Sequence, residues 1–164
     1  MLNWQANRTT PMKLPRFLTS RFAAVLALGC ALLALAPAAQ AQIKVVPLTM
    51  DKVDKAAKFV QGVEADPAKK ASMEEADKDE AVVSAMSSGG SINDVVNTKY
   101  PKAAAVYKAG GFTPDDFLAL VVSISMASTG LSEGVSDPAV AKANVEFYNT
   151  NKEKIDKLMQ SMAN

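Results

Sequence analysis

Histidine is absent from this chain, and three other residue types are confined to its beginning: Trp4, Cys30, and the arginines Arg8, Arg16 and Arg21. Each absence excludes a class of chemistry. Beyond residue 41, zinc, haem and iron–sulfur centres lose their usual ligands. Ser-His-Asp and Cys-His catalysis has no base to work with. No disulfide framework can form there. Fourteen lysines face seventeen acids beyond residue 41, a net charge of −3. Without arginine and with that charge, recognition of phosphates and base edges has no footing, so nucleic acid is not an expected partner. No cofactor is expected either.

The first residues follow another logic. Lys13, Arg16 and Arg21 precede an apolar run of 15 residues, Phe22 to Ala36, which Pro37 breaks before Ala39-Gln40-Ala41. A basic stretch, a short apolar stretch and small residues at its end make a secretory signal peptide. The run falls short of the roughly 20 residues a spanning helix needs. Cys30 is followed by more apolar residues rather than a polar tether, so it belongs to the discarded peptide. The expectation is residues 1–41 as a cleaved signal, with Met12 an alternative start, and residues 42–164 as one domain, periplasmic or secreted. No stable membrane insertion is expected after cleavage. A chain of 123 residues buries about two thirds of its unfolded surface and needs no covalent staples.

Within that domain the signals are helical. Residues 42–48 read as an extended lead-in. Thr49 caps a helix to about Glu64, with Val53, Ala56, Ala57, Val60 and Val63 on one stripe. Asp51–Lys55 and Asp54–Lys58 are i,i+4 pairs in the favourable order. Asp66-Pro67 starts a helix predicted to run to about Met86. Ser87-Ser88-Gly89-Gly90-Ser91 breaks the chain. Ser91 and Asp94 resemble a capping box ahead of a short helix. Pro101 sets a boundary at Tyr100, and Lys102 to Lys108 forms another short helix stopped by Gly110-Gly111. Thr113-Pro114-Asp115-Asp116 opens the next one, with Phe112 and Phe117 as a hydrophobic staple. That helix is apolar nearly all round from Phe117 to Ala127, which makes it the central helix. Asp137-Pro138 starts the last helix, whose seam is Ala141, Val145, Tyr148, Lys152, Ile155, Met159 and Met162. A seam this short packs on the chain's own core. The fold class is all-α: a small helical bundle of four longer and two short helices, expected to be a monomer.

Candidate sites are few. Glu74, Glu75, Asp77, Asp79 and Glu80 lack the glycine and glutamate of a calcium loop and read as a solvated helix surface. Met159 and Met162 form an M-x-x-M pair that, without histidine or cysteine, reads as core filler rather than a copper site. Glu146 is the carboxylate nearest to apolar neighbours but lies off the seam. The serines of the Gly-rich break lack the frame of a nucleophile elbow and the lysine of an S-x-x-K motif. No catalytic residue is therefore assigned, and the chain is not expected to be an enzyme.

Two segments resemble a known kind of protein. Tyr100-Pro101 through Gly111-Phe112-Thr113-Pro114, and Asn144-Val145-Glu146-Phe147 leading into Lys152 and Ile155, are similar to segments of small exported helical proteins of Gram-negative bacteria. The likeness implies export and an all-α fold, and brings no activity, ligand or site residue. The expected function is binding to another protein in the periplasm through an apolar stripe on the first or last helix. The alternatives are a carrier of a small apolar ligand between helices and, third, a carboxylate-based enzyme. The expected ligand or partner surface is Met126, Tyr148, Ile155, Met159 and Met162.

Overall fold

The computed structural model describes residues 43–88 and 90–163. The expected signal peptide lies outside the described residues. Among the described residues seven helices follow in order: α1 Met50–Glu64, α2 Pro67–Asp77, α3 Glu80–Ser88, α4 Asn93–Lys99, α5 Pro101–Ala109, α6 Pro114–Thr129 and α7 Pro138–Ala163. The fold is the all-α domain that the periodicity implies.

Local chemistry sets most boundaries. The Thr49 side chain accepts from the Lys52 amide, Asp66 from Ala68 and Lys69, and Thr113 from Asp116, so each satisfies orphan donors at a helix start. Asp137 does the same for Ala139 and Val140 at the head of α7. Helix α5 ends in a Schellman arrangement: Phe112 N–H donates to Tyr107 O at 3.0 Å and Gly111 N–H to Lys108 O at 2.9 Å, with Gly111 at φ 72°.

Two expectations need correction. The helix predicted from Asp66 to Met86 is two helices, α2 and α3, which raises the count from six to seven. Asp79 divides them. Its carboxylate accepts from the Ala81 amide at 2.7 Å, the Tyr100 hydroxyl at 2.7 Å and Lys99 Nζ at 3.2 Å. It thus caps α3 and ties that start to the α4–α5 junction. The capping box of Ser91 and Asp94 is also replaced. Asp115, 23 residues beyond Ile92, accepts from the Ile92 amide at 2.7 Å and the Ser91 hydroxyl at 2.6 Å. Asn93 Oδ1 returns the bond by accepting from Asp115 N–H at 3.1 Å. The start of α4 is therefore held by the start of α6. Of the Gly-rich break, Gly89 lies outside the described residues.

Helices α6, α7 and α1 form one side of the domain, α7 packing against both of the others, while α2, α4 and α5 form the other. Helix α6 is buried on several faces, including Phe117, Leu120, Ser123, Ile124 and Ala127. The α1 stripe is buried as predicted. Along α7, Ala141, Tyr148 and Ile155 are buried, Val145 and Met159 half-buried, and Lys152 exposed. The seam thus packs inward on the chain itself. A smaller cluster of Val45, Met126, Val135 and Ala141 lies beside the main core.

Candidate functional site

The residues expected to form a partner surface are placed mainly in the interior. Ile155 is fully buried, Met126 is 4 % exposed and Tyr148 6 %. Met159 is half-buried against the main core, and the Met162 side chain lies outside the described residues. Burial follows from α7 packing against α6 and α1 at once, which leaves its apolar seam no outward face. Met126 belongs to the smaller cluster, so the structure does not bring these residues together. The apolar stripes of the first and last helices are core.

Charged side chains gather over an aromatic ring on the outer side of α1. An open trough of about 460 Å³ runs along it, lined by Asp51, Asp54, Lys55, Lys58 and Phe59 and by Ala109 and Gly110 at the end of α5. Phe59 is the floor. Its ring meets Phe117 edge-on at 4.9 Å between centroids, Phe112 at 5.5 Å and Tyr107 at 5.6 Å. Contacts of this geometry add to the area the rings bury. The approach of α5 to that floor depends on Gly110, where a Cβ would stand 2.3 Å from Phe59 Cδ2.

The charges on the trough are unequally engaged. Lys55 donates to Gly111 O at 2.7 Å and lies over the Phe112 ring at 4.5 Å, instead of pairing with Asp51. Asp54 meets Lys154 of α7 at 3.9 Å instead of Lys58. Asp51 and Lys58 are left, among the described residues, without an ion-pair partner. They are seven residues apart on one face, about 10 Å along the axis.

Two further polar clusters went unread in the sequence. On α7, Tyr148 donates to Asp156 at 2.6 Å, and Lys152 donates to Tyr148 Oη at 3.2 Å and to Asp156 at 2.8 Å. The i, i+4, i+8 spacing of Tyr148, Lys152 and Asp156 was the available signal. Burial, then the bond to Asp156, pushes the Tyr148 hydroxyl up; the bond to Lys152 holds the Asp156 carboxyl below its usual range. Such a tyrosine keeps its proton, which suits a structural tie and not a nucleophile. At Asp79 the Tyr100 hydroxyl is the chief reason the carboxyl is held down at about 2.

The expected acidic surface is mixed in character. Asp79 is a cap and a tie. Crowding around the Asp77 carboxyl, with Glu74 adding to it, pushes Asp77 up to about 6. Asp77 is nonetheless exposed as a residue, so hydration offsets part of that push. Among the described residues no group of three or more His, Cys, Asp or Glu is placed to hold a metal ion. Glu146 is exposed. None of the described helices is long and apolar enough to cross a membrane.

No family model matches this chain, and neither a curated protein nor a solved structure is similar to it.

Proposed function

We propose that this chain is a non-catalytic, exported helical domain that acts as a monomer in the periplasm by binding another protein through the α1 trough. Export rests on the residue pattern between Lys13 and Ala41. The observation that carries the binding reading is the pair Asp51 and Lys58, which both line an aromatic-floored trough and, among the described residues, have no ion-pair partner. The matching partner segment presents a cation toward Asp51 and an anion about 10 Å further on toward Lys58. Rim charges of this kind guide encounter and register more than they add affinity.

Both halves are testable. Intact mass of the protein isolated from the periplasm begins at Gln42 if the signal is cleaved as read; a mass that retains Ala41 refutes that site. Crosslinking in intact cells captures a partner with the native chain. The double reversal Asp51→Lys with Lys58→Glu abolishes capture, while Lys142→Glu, an exposed residue away from the trough, does not. An unchanged partner with the double reversal, or no partner above background with the native chain, sinks the reading.

A further inference from the structure

Where α1 lines the trough, its charges run Asp51, Asp54, Lys55, Lys58. The order is antisymmetric about a point midway between Asp54 and Lys55. Each acid has a lysine at the mirrored position: Asp51 has Lys58, and Asp54 has Lys55. A helix face built this way is complementary to itself turned end for end. Laid antiparallel on a second copy, it sets each of these charges against its opposite and none against its like.

The inner two charges are already engaged within the chain, Asp54 with Lys154 at 3.9 Å and Lys55 with Gly111 O at 2.7 Å. The outer two, Asp51 and Lys58, are exposed and, among the described residues, have no ion-pair partner. A two-fold arrangement gives both of them one: Asp51 of each copy meets Lys58 of the other. A separate observation falls on the same stripe. Gly62 stands four residues beyond Lys58, in line with Asp51 and Lys55. It is exposed, it lies within α1, and a Cβ there would meet nothing within 4 Å. Glycine weakens a helix, and nothing inside the chain calls for one at this place. In the antiparallel arrangement Gly62 lies over the stretch that leads into the second α1. The missing side chain lets the two backbones approach there.

We propose that two copies of this chain associate through the outer faces of α1, antiparallel and two-fold, so that each covers the other's trough until the protein partner displaces it. This rests on the trough being a binding face. The dimer is the resting form and the monomer the acting one. An exposed ion pair contributes little, so two equivalent pairs make a contact weak enough to be displaced.

Sedimentation velocity on the purified chain, without partner, tests this over a concentration series into the millimolar range at low salt. The native chain forms a reversible dimer, and raising the salt weakens it. Asp51→Lys alone, or Lys58→Glu alone, turns two attractive contacts into two repulsive ones and weakens self-association about tenfold or more. Mixing those two variants restores association, because each then offers the charge the other lacks. The double reversal Asp51→Lys with Lys58→Glu restores it within one chain, since the face is again complementary to itself. All four positions changed or kept are at the surface, and circular dichroism of each variant checks that the helices are intact. A native chain that stays monomeric throughout overturns the proposal. Single reversals that associate like the native chain overturn it too, as does a double reversal that stays as weak as the single ones. The double reversal also separates this inference from the proposed function, because it keeps the dimer and loses the partner. Dimers that follow this pattern with no partner captured refute the partner alone; a captured partner with a strictly monomeric native chain refutes the dimer alone.

Discussion

Gly110→Ala sets two effects of opposite sign against each other. Gly110 closes α5 at φ −75° and ψ −6°, a conformation open to alanine. On backbone grounds alone the substitution stabilises by about 0.4–1 kcal/mol, because the unfolded chain loses freedom. The new Cβ, however, stands 2.3 Å from Phe59 Cδ2 and 2.9 Å from Cε2. Ordinary contact needs the ring to retreat by about 1 Å. Phe59 is 8 % exposed and boxed by Tyr107, Phe112 and Phe117, so it has little room to move. Overpacking of this kind costs about 1–3 kcal/mol. The net expectation is a loss of about 1–2 kcal/mol, which for a domain of this size lowers Tm by about 3–8 °C. Urea unfolding gives the free energy directly, and Gly62→Ala is the control. Gly62 is exposed within α1 with nothing within 4 Å of its added Cβ, so alanine there gains about 0.5–1 kcal/mol. A double-mutant cycle with Phe59→Leu then isolates the clash as a favourable coupling of about 1 kcal/mol. A Gly110→Ala chain as stable as the native one, with effects additive to Phe59→Leu, refutes the reasoning.

Asp115→Ala removes the acceptor for Ile92 N–H and Ser91 Oγ, and is expected to cost about 1–2 kcal/mol. Hydrogen exchange of residues 92–96 should quicken relative to α7; unchanged protection there argues against the cross-link. Asp79, held down at about 2, contributes stability that is fully present above its unfolded value of 3.8 and is lost as pH falls toward 2. Asp79→Asn should flatten the acid limb of a Tm–pH curve, and an unaltered limb contradicts the tie to Tyr100. Asp77 has the opposite sign. Its folded value of about 6 lies above 3.8, so the native state binds the extra proton and stability declines as pH rises through about 4–6. A carboxylate on the last residue of α2 also opposes the helix dipole. Asp77→Asn should raise Tm at pH 7 and converge with the native chain at pH 4; equal Tm at both pH values rules this out.

What was legible in the sequence is what short-range chemistry decides. Thr49, Asp66, Thr113 and Asp137 mark helix starts because a cap bonds amides two or three residues away. The Phe112–Phe117 staple is equally local, with ring centroids 5.4 Å apart. The apolar seam of α7 followed from its spacing, and its burial from the helices packed on it. The α2–α3 break was not legible, because Ala81 to Met86 continues a helical pattern and the competing claim on Asp79 comes from Tyr100, 21 residues on. The apolar stripes were read correctly as stripes but wrongly as surfaces. Periodicity shows that a face is apolar, not whether a neighbouring helix covers it.

The candidate site was largely illegible for the same reason. Asp51, Asp54, Lys55 and Lys58 scan as two i,i+4 ion pairs, the cheapest explanation for that spacing. The fold breaks both by offering Lys55 the Gly111 carbonyl and the Phe112 ring, and Asp54 the Lys154 ammonium. Only then are Asp51 and Lys58 left, among the described residues, without an ion-pair partner. Asn144 makes the point over a longer distance. Nothing in Asn144-Val145-Glu146-Phe147 says that the asparagine faces the core, and its partner Leu48 lies 96 residues away. A buried asparagine on a helix seam is costly if unmatched and orienting if matched. Here it fixes where the chain must lie before α1 begins, and so places α1, and the trough along it, relative to α6 and α7. The polar residue that a stability argument alone would replace with leucine is the one that holds the binding face in register with the core.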